Sequence, residues 1–97
     1  MIRLKITSDT DEDAFDLITS AIAAEVSRLE LGLKTTERHI RSFEERYGIS
    51  SDTFLQNFTA EDLVEGDQEY VMWTGELKIQ ERIVTQLEAL KGIQYAA

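Results

Sequence analysis

A chain of 97 residues, 42% of them apolar, has room for one domain with a modest core and is too apolar for wholesale disorder. Its 19 acidic residues against 10 basic give a formal charge of -9. That balance disfavours DNA or RNA as a direct partner, which would need clustered positive charge to displace counterions, and favours a basic protein. With no cysteine there is neither a disulfide framework nor a thiolate metal site. The N-terminus lacks the apolar core of a signal peptide, and no stretch reaches membrane-spanning length, so the expectation is a soluble, cytoplasmic protein with no membrane partner.

In chain order, residues 2–7 alternate Ile2, Leu4 and Ile6 with Arg3, Lys5 and Thr7. That pattern predicts a short strand or extended arm with one apolar face, which needs a second strand to satisfy its ladder. Ser8, Asp9, Thr10 and Asp11 then offer N-caps, with acidic residues where the helix dipole favours them.

From residue 11 to residue 47 no proline intervenes. Phe15, Ile22, Leu29, Thr36 and Phe43 recur at intervals of seven, interleaved with Thr19, Val26, Leu33, Ile40 and Tyr47. This is a heptad seam, and a helix of that length would reach about 54 Å, too long for a small globule. Gly32 lies beside the seam, where it weakens the helix but lets a neighbour approach.

Gly48 follows Tyr47 in the place of a left-handed stop, with Ile49 behind it as the hydrophobic contact. Ser50 or Ser51 caps a short helix over 51–58, which turns the chain and brings Phe54, Leu55 and Phe58 to the open end of a hairpin. The last helix is predicted over 67–91, ending before Gly92, with Tyr70, Trp73, Leu77, Gln80, Val84 and Leu87 along its seam. The fold expected is all-α: a single domain built as a long, antiparallel, coiled-coil-like helical hairpin with a corner helix and an N-terminal arm. In the natural register Tyr47 lies level with Glu69. Thr36 and Gln80, the polar interruptions of the two seams, then share one layer.

Residues that could carry chemistry are few. Asp9, Asp11 and Asp13 have the opening spacing of a calcium loop, but Ala14 and Ser20 stand where glycine and glutamate belong, so helix capping is the better reading. His39, the only histidine, has no cysteine or second histidine to build a metal site with, and reads as a surface or boundary residue. Lys34, Arg38 and Arg41 share a helix face with Glu30, Glu37 and Glu44 close enough to pair with them. The acidic run through Glu61, Asp62, Glu65, Asp67 and Glu69 reads as a solvated face. No phosphate-binding glycine loop or nucleophile elbow is present, so neither an enzyme nor a cofactor is expected. Trp73 reads first as the core plug of the corner, and second as an interface anchor.

The turn "ERYGISSDTFLQNF" followed by "EYVMWTGELKIQERI" resembles a group of small, acidic, helical prokaryotic proteins. The features shared are Tyr47, Gly48, Ile49, Ser50 and Phe54, then Trp73, Gly75 and Glu76, over roughly residues 40–90. Proteins of this kind are assigned as the antitoxin half of toxin–antitoxin gene pairs in cyanobacteria and archaea. The resemblance implies an antitoxin-like inhibitor whose partner is a small, basic toxin. A self-associating coiled-coil scaffold is the alternative from a different class. A ribbon-helix-helix regulator fits less well, because the first helix runs on without the required turn.

In the expected register, Lys91 lies level with Glu25 and the first helix overhangs the hairpin. The association surface expected is therefore the strand with Ile2, Leu4 and Ile6, together with Phe15, Leu17, Ile18 and Ile22 on the overhang. It would serve a homodimer when no toxin is bound.

Overall fold

The computed structural model describes residues 11–58 and 66–96, and among these it contains three helices and no strand. The strand or arm expected over 2–7, and the acids of the run at positions 61, 62 and 65, lie outside the described residues.

Helix α1 spans Asp11–Tyr47, α2 Ser51–Asn57 and α3 Asp67–Ala96. The 37 residues of α1 account for most of the longest dimension of a molecule measuring 61 × 22 × 18 Å. Helices α1 and α3 pack antiparallel, and the fold is an all-α helical hairpin with α2 at its corner.

The stop of α1 is local chemistry. Gly48 takes φ 66°, a left-handed conformation that costs a residue without Cβ little. The Ile49 amide then donates to the Glu44 carbonyl at 3.2 Å, the six-to-one bond of a Schellman motif. Ser50 is extended and caps α2, its Oγ accepting from the Thr53 amide at 3.1 Å. Gly66, with φ 61°, precedes α3, and its carbonyl accepts the Tyr70 amide at 3.2 Å.

The core has two parts. At the corner, Phe54 and Trp73 are fully buried beneath Phe43, Tyr47, Ile49, Phe58, Tyr70 and Leu77. Along the far half, Val26, Leu29, Ile83 and Leu87 form an aliphatic cluster with Ile22, Leu33 and Leu90 against it. Register is fixed by cross-helix contacts. Tyr47 and Arg46 meet Glu69, Phe43 stacks on Trp73, His39 meets Glu76, and a Cβ on Gly32 would lie 3.6 Å from Ile83 Cδ1. These pairings put Thr36 level with Gln80, and Thr36 is buried.

Two boundaries differ from the sequence reading: α2 ends at Asn57, with Phe58 as its extended C-cap, and α3 runs further than expected. Helix α3 does not end before Gly92 but continues to Ala96. Gly92 has no positive φ there, so it behaves as an ordinary helical residue, and Ile93 beyond it is half-buried. A glycine stops a helix when the following residue has a contact that rewards the turn, as Ile49 has and Ile93 does not need.

Candidate functional site

The corner positions everything else. Trp73 is 0% exposed, with Phe54 stacked on its ring at 3.9 Å between centroids and Phe43 and Tyr47 stacked at 5.4 and 5.9 Å. Phe54 also meets Tyr70 edge-on at 5.3 Å. Offset stacks of this kind add to the gain from burial alone.

The one polar atom of the indole is satisfied. Trp73 Nε1 donates to Ser51 Oγ at 3.0 Å, and Ser51 donates its hydroxyl and its amide to Glu44 Oε2 at 2.9 and 2.8 Å. One carboxylate on α1 thus holds the start of α2, which in turn holds α3. Enclosed this way, Trp73 is the core plug of the corner, and the chain as described offers no exposed indole for a partner.

Glu69 departs from the solvated face expected of the acidic run. It is buried, and its carboxylate accepts from Arg46 Nη1 and from the Tyr47 hydroxyl. Arg46 also gives charge compensation that a buried carboxylate requires. The signal available in the sequence was the register itself, which sets Tyr47 level with Glu69.

His39 is half-exposed and pairs across the hairpin, its Nδ1 2.8 Å from Glu76 Oε1. The other oxygen, Glu76 Oε2, is buried without a hydrogen-bond partner among the described residues. Within α1, Arg28 donates to both oxygens of Glu25, and hydrogen bonding to Arg28 holds the Glu25 carboxyl below its ordinary range. Lys34, Arg38 and Arg41 make no ion pair among the described residues, contrary to the intrahelical pairing expected. Exposed partners of this kind gain little from being held together. Among the described residues no group of three or more histidine and carboxylate side chains could hold a metal ion, and no helix is long and apolar enough to cross a membrane.

The sequence-derived surface at the start of α1 splits in two. Ile22 packs against the far aliphatic cluster and belongs to the core. Because α3 reaches Ala96, which the register places level with about Thr19, the overhang is shorter than expected and consists of residues 11–18. On it Leu17 is 72% exposed, Phe15 is exposed, and Ile18 is half-buried. Ile2, Leu4 and Ile6 lie outside the described residues.

Around these side chains Glu12, Asp13 and Asp16 are all exposed, and no lysine or arginine occurs in α1 before Arg28. The result is an apolar helix end rimmed by carboxylates. A groove of about 610 Å³ lies between α2 and α3, lined by Asp52, Leu55, Tyr70, Thr74, Leu77 and Lys78 among others. Its walls mix acid, base and apolar side chains without a convergent set of polar groups.

No protein-family model matches the chain, and neither a curated protein nor a solved structure matches it significantly.

Proposed function

We propose that the chain is an antitoxin-like binding protein that docks on a small basic protein and neutralises it. The observation that carries this reading is the start of α1, where Leu17 is 72% and Phe15 38% exposed among Glu12, Asp13 and Asp16. Apolar side chains supply contact area, and carboxylates steer a cationic partner and penalise an anionic one. The net charge of -9 extends the same preference over the whole molecule. The sequence resemblance supplies the class of partner, a toxin encoded beside it.

Co-expression with the product of the adjacent gene tests the proposal. The two proteins should co-purify, and growth arrest caused by the partner alone should be relieved. Phe15→Glu combined with Leu17→Glu should abolish both effects while leaving the helical circular dichroism unchanged, because neither side chain belongs to the described core clusters. Binding and protection that survive this double substitution would place the docking surface elsewhere.

A structural role as a self-associating rod is the second reading, favoured by the elongated 61 × 22 × 18 Å shape. Failure of the adjacent product to bind, together with self-association, is the outcome that would select it.

A further inference from the structure

The outer face of α1 carries an order of charges that reverses from one end of the helix to the other. Asp13, Leu17, Ala24, Leu31 and Arg38 are spaced by four and then by seven residues, and all five are exposed. Helical geometry sets them within about 40° of one line, on the side opposite the buried Val26, Leu29 and Ile40. Leu17 and Leu31 are 72% and 66% exposed, more than any other large apolar side chain among the described residues, and neither belongs to a core cluster.

The acids of this face lie at one end, where Asp16 stands beside Asp13. The bases lie at the other, where Lys34 stands beside Arg38, and neither makes an ion pair among the described residues. Glu30 and Glu37 are about 100° or more round the helix from Leu31, to the side of the line. Ala24 is the midpoint. Leu17 and Leu31 are each seven residues from it, Asp13 is eleven and Lys34 is ten. Turned end for end about Ala24, the face is complementary to itself.

We propose that a second copy of the chain occupies this face, its α1 antiparallel to the first about a two-fold axis at Ala24. Leu17 of each copy then meets Leu31 of the other, about 10 Å to either side of the axis. Asp13 of each lies within one residue of level with Lys34 of the other. The charges select this orientation, because a parallel pair would set Asp13 against Asp13 and Lys34 against Lys34. A stripe from Asp13 to Arg38 is about 38 Å long on a helix about 10 Å across, short of the roughly 800 Å² per partner of a standard interface. The dimer is therefore weak. Leu17 belongs also to the surface proposed above for a basic protein. On that reading, and only on it, the two associations compete and the dimer is the resting form.

Sedimentation equilibrium of the full chain from about 10 µM to 1 mM should show the mean mass rising from 11.1 kDa toward twice that value. Leu31→Glu should hold it at one chain, with the helical circular dichroism unchanged. Asp13→Lys should weaken association several-fold, and adding Lys34→Glu to the same chain should restore it, because the exchanged charges meet again across the axis. The chain contains no cysteine, so single thiols can be placed as an independent check. Ala24→Cys should oxidise to a cross-linked dimer, whereas Leu17→Cys, whose two copies would lie about 21 Å apart along the helices, should not. A wild-type chain that stays monomeric throughout overturns the proposal. So does a dimer that survives Leu31→Glu, a charge reversal that the second substitution does not restore, or a Leu17→Cys chain that cross-links as readily as the Ala24→Cys chain. None of these results bears on whether the adjacent gene product binds at Phe15.

Discussion

The corner and the far half of the hairpin are built by different means. At the corner three helices converge on one indole, each element is tied to the next by hydrogen bonds, and both fully buried large side chains of the described chain are there. Along the far half two helices meet through an aliphatic cluster of Val26, Leu29, Ile83 and Leu87, with Ile22, Leu33 and Leu90 against it. Aromatic stacks and buried hydrogen bonds have narrow geometric optima, so the corner determines register. Aliphatic packing is tolerant, so the far half follows the register and contributes burial. A two-helix segment also cannot enclose itself, which is why exposed apolar side chains remain along its flanks and at its free end.

Truncation should separate the two regions most strongly. Trp73→Ala removes the ring on which Phe54, Phe43 and Tyr47 stack, and should cost about 3–5 kcal/mol. Against the 5–15 kcal/mol expected of a domain, urea denaturation should then show a chain at or near the limit of folding. Leu87→Ala in the far cluster should cost about 2–4 kcal/mol and leave a folded hairpin. If the far substitution proves the more damaging, the assignment of register to the corner is wrong.

A smaller effect is expected at the buried carboxylate. Glu69→Ala leaves the Tyr47 hydroxyl without its acceptor and should lower stability by about 1–3 kcal/mol in the same urea titration. Smaller still, and of opposite sign, is Gly75→Ala. A Cβ there meets nothing within 4 Å, so the variant should gain up to about 1 kcal/mol from helix propensity. A lower melting temperature would mean that a neighbour occupies that space.

The mildest test concerns Glu25, whose folded carboxyl is held low by Arg28. A depressed folded value means that any stability this group contributes is present above the unfolded carboxylate range and fades as pH falls through the folded value. Carboxyl carbon shifts followed by NMR should show Glu25 titrating below the ordinary glutamate range, and Arg28→Ala should move it upward.

What the sequence made legible was mostly local. The stop at Gly48, the cap at Ser50 and the heptad seam of α1 each depend on a few neighbouring residues, and the register follows once the two seams are set side by side. Less legible was whatever depends on a residue far along the chain. An acid within an acidic run reads as solvated until Tyr47 and Arg46 of another helix are known to reach it. Gly92 reads as a terminator because its signal is the same as that of Gly48. Only the conformation tells the two apart. Ile22, similarly, reads as free surface when α3 is thought to stop early, and becomes core when α3 runs on. The enclosure of Trp73 was legible as a preference for burial, but the route from its ring nitrogen through Ser51 to Glu44 was not, since a serine used as a cap candidate gives no hint of its second role.

The stacked position of Trp73 also makes the molecule its own reporter. As the only tryptophan in the chain, it confines intrinsic fluorescence to the corner. Emission from a ring sealed away from water and sandwiched between aromatic neighbours should be blue-shifted, and should move to the red only when that end opens. Far-ultraviolet ellipticity, in contrast, sums over all the helical turns and is dominated by the long pair. Heating the protein while recording both signals therefore reads two places at once. Superimposable curves would mean that the hairpin melts as one unit, and an ellipticity loss that precedes the emission shift would mean that it unzips from its free end.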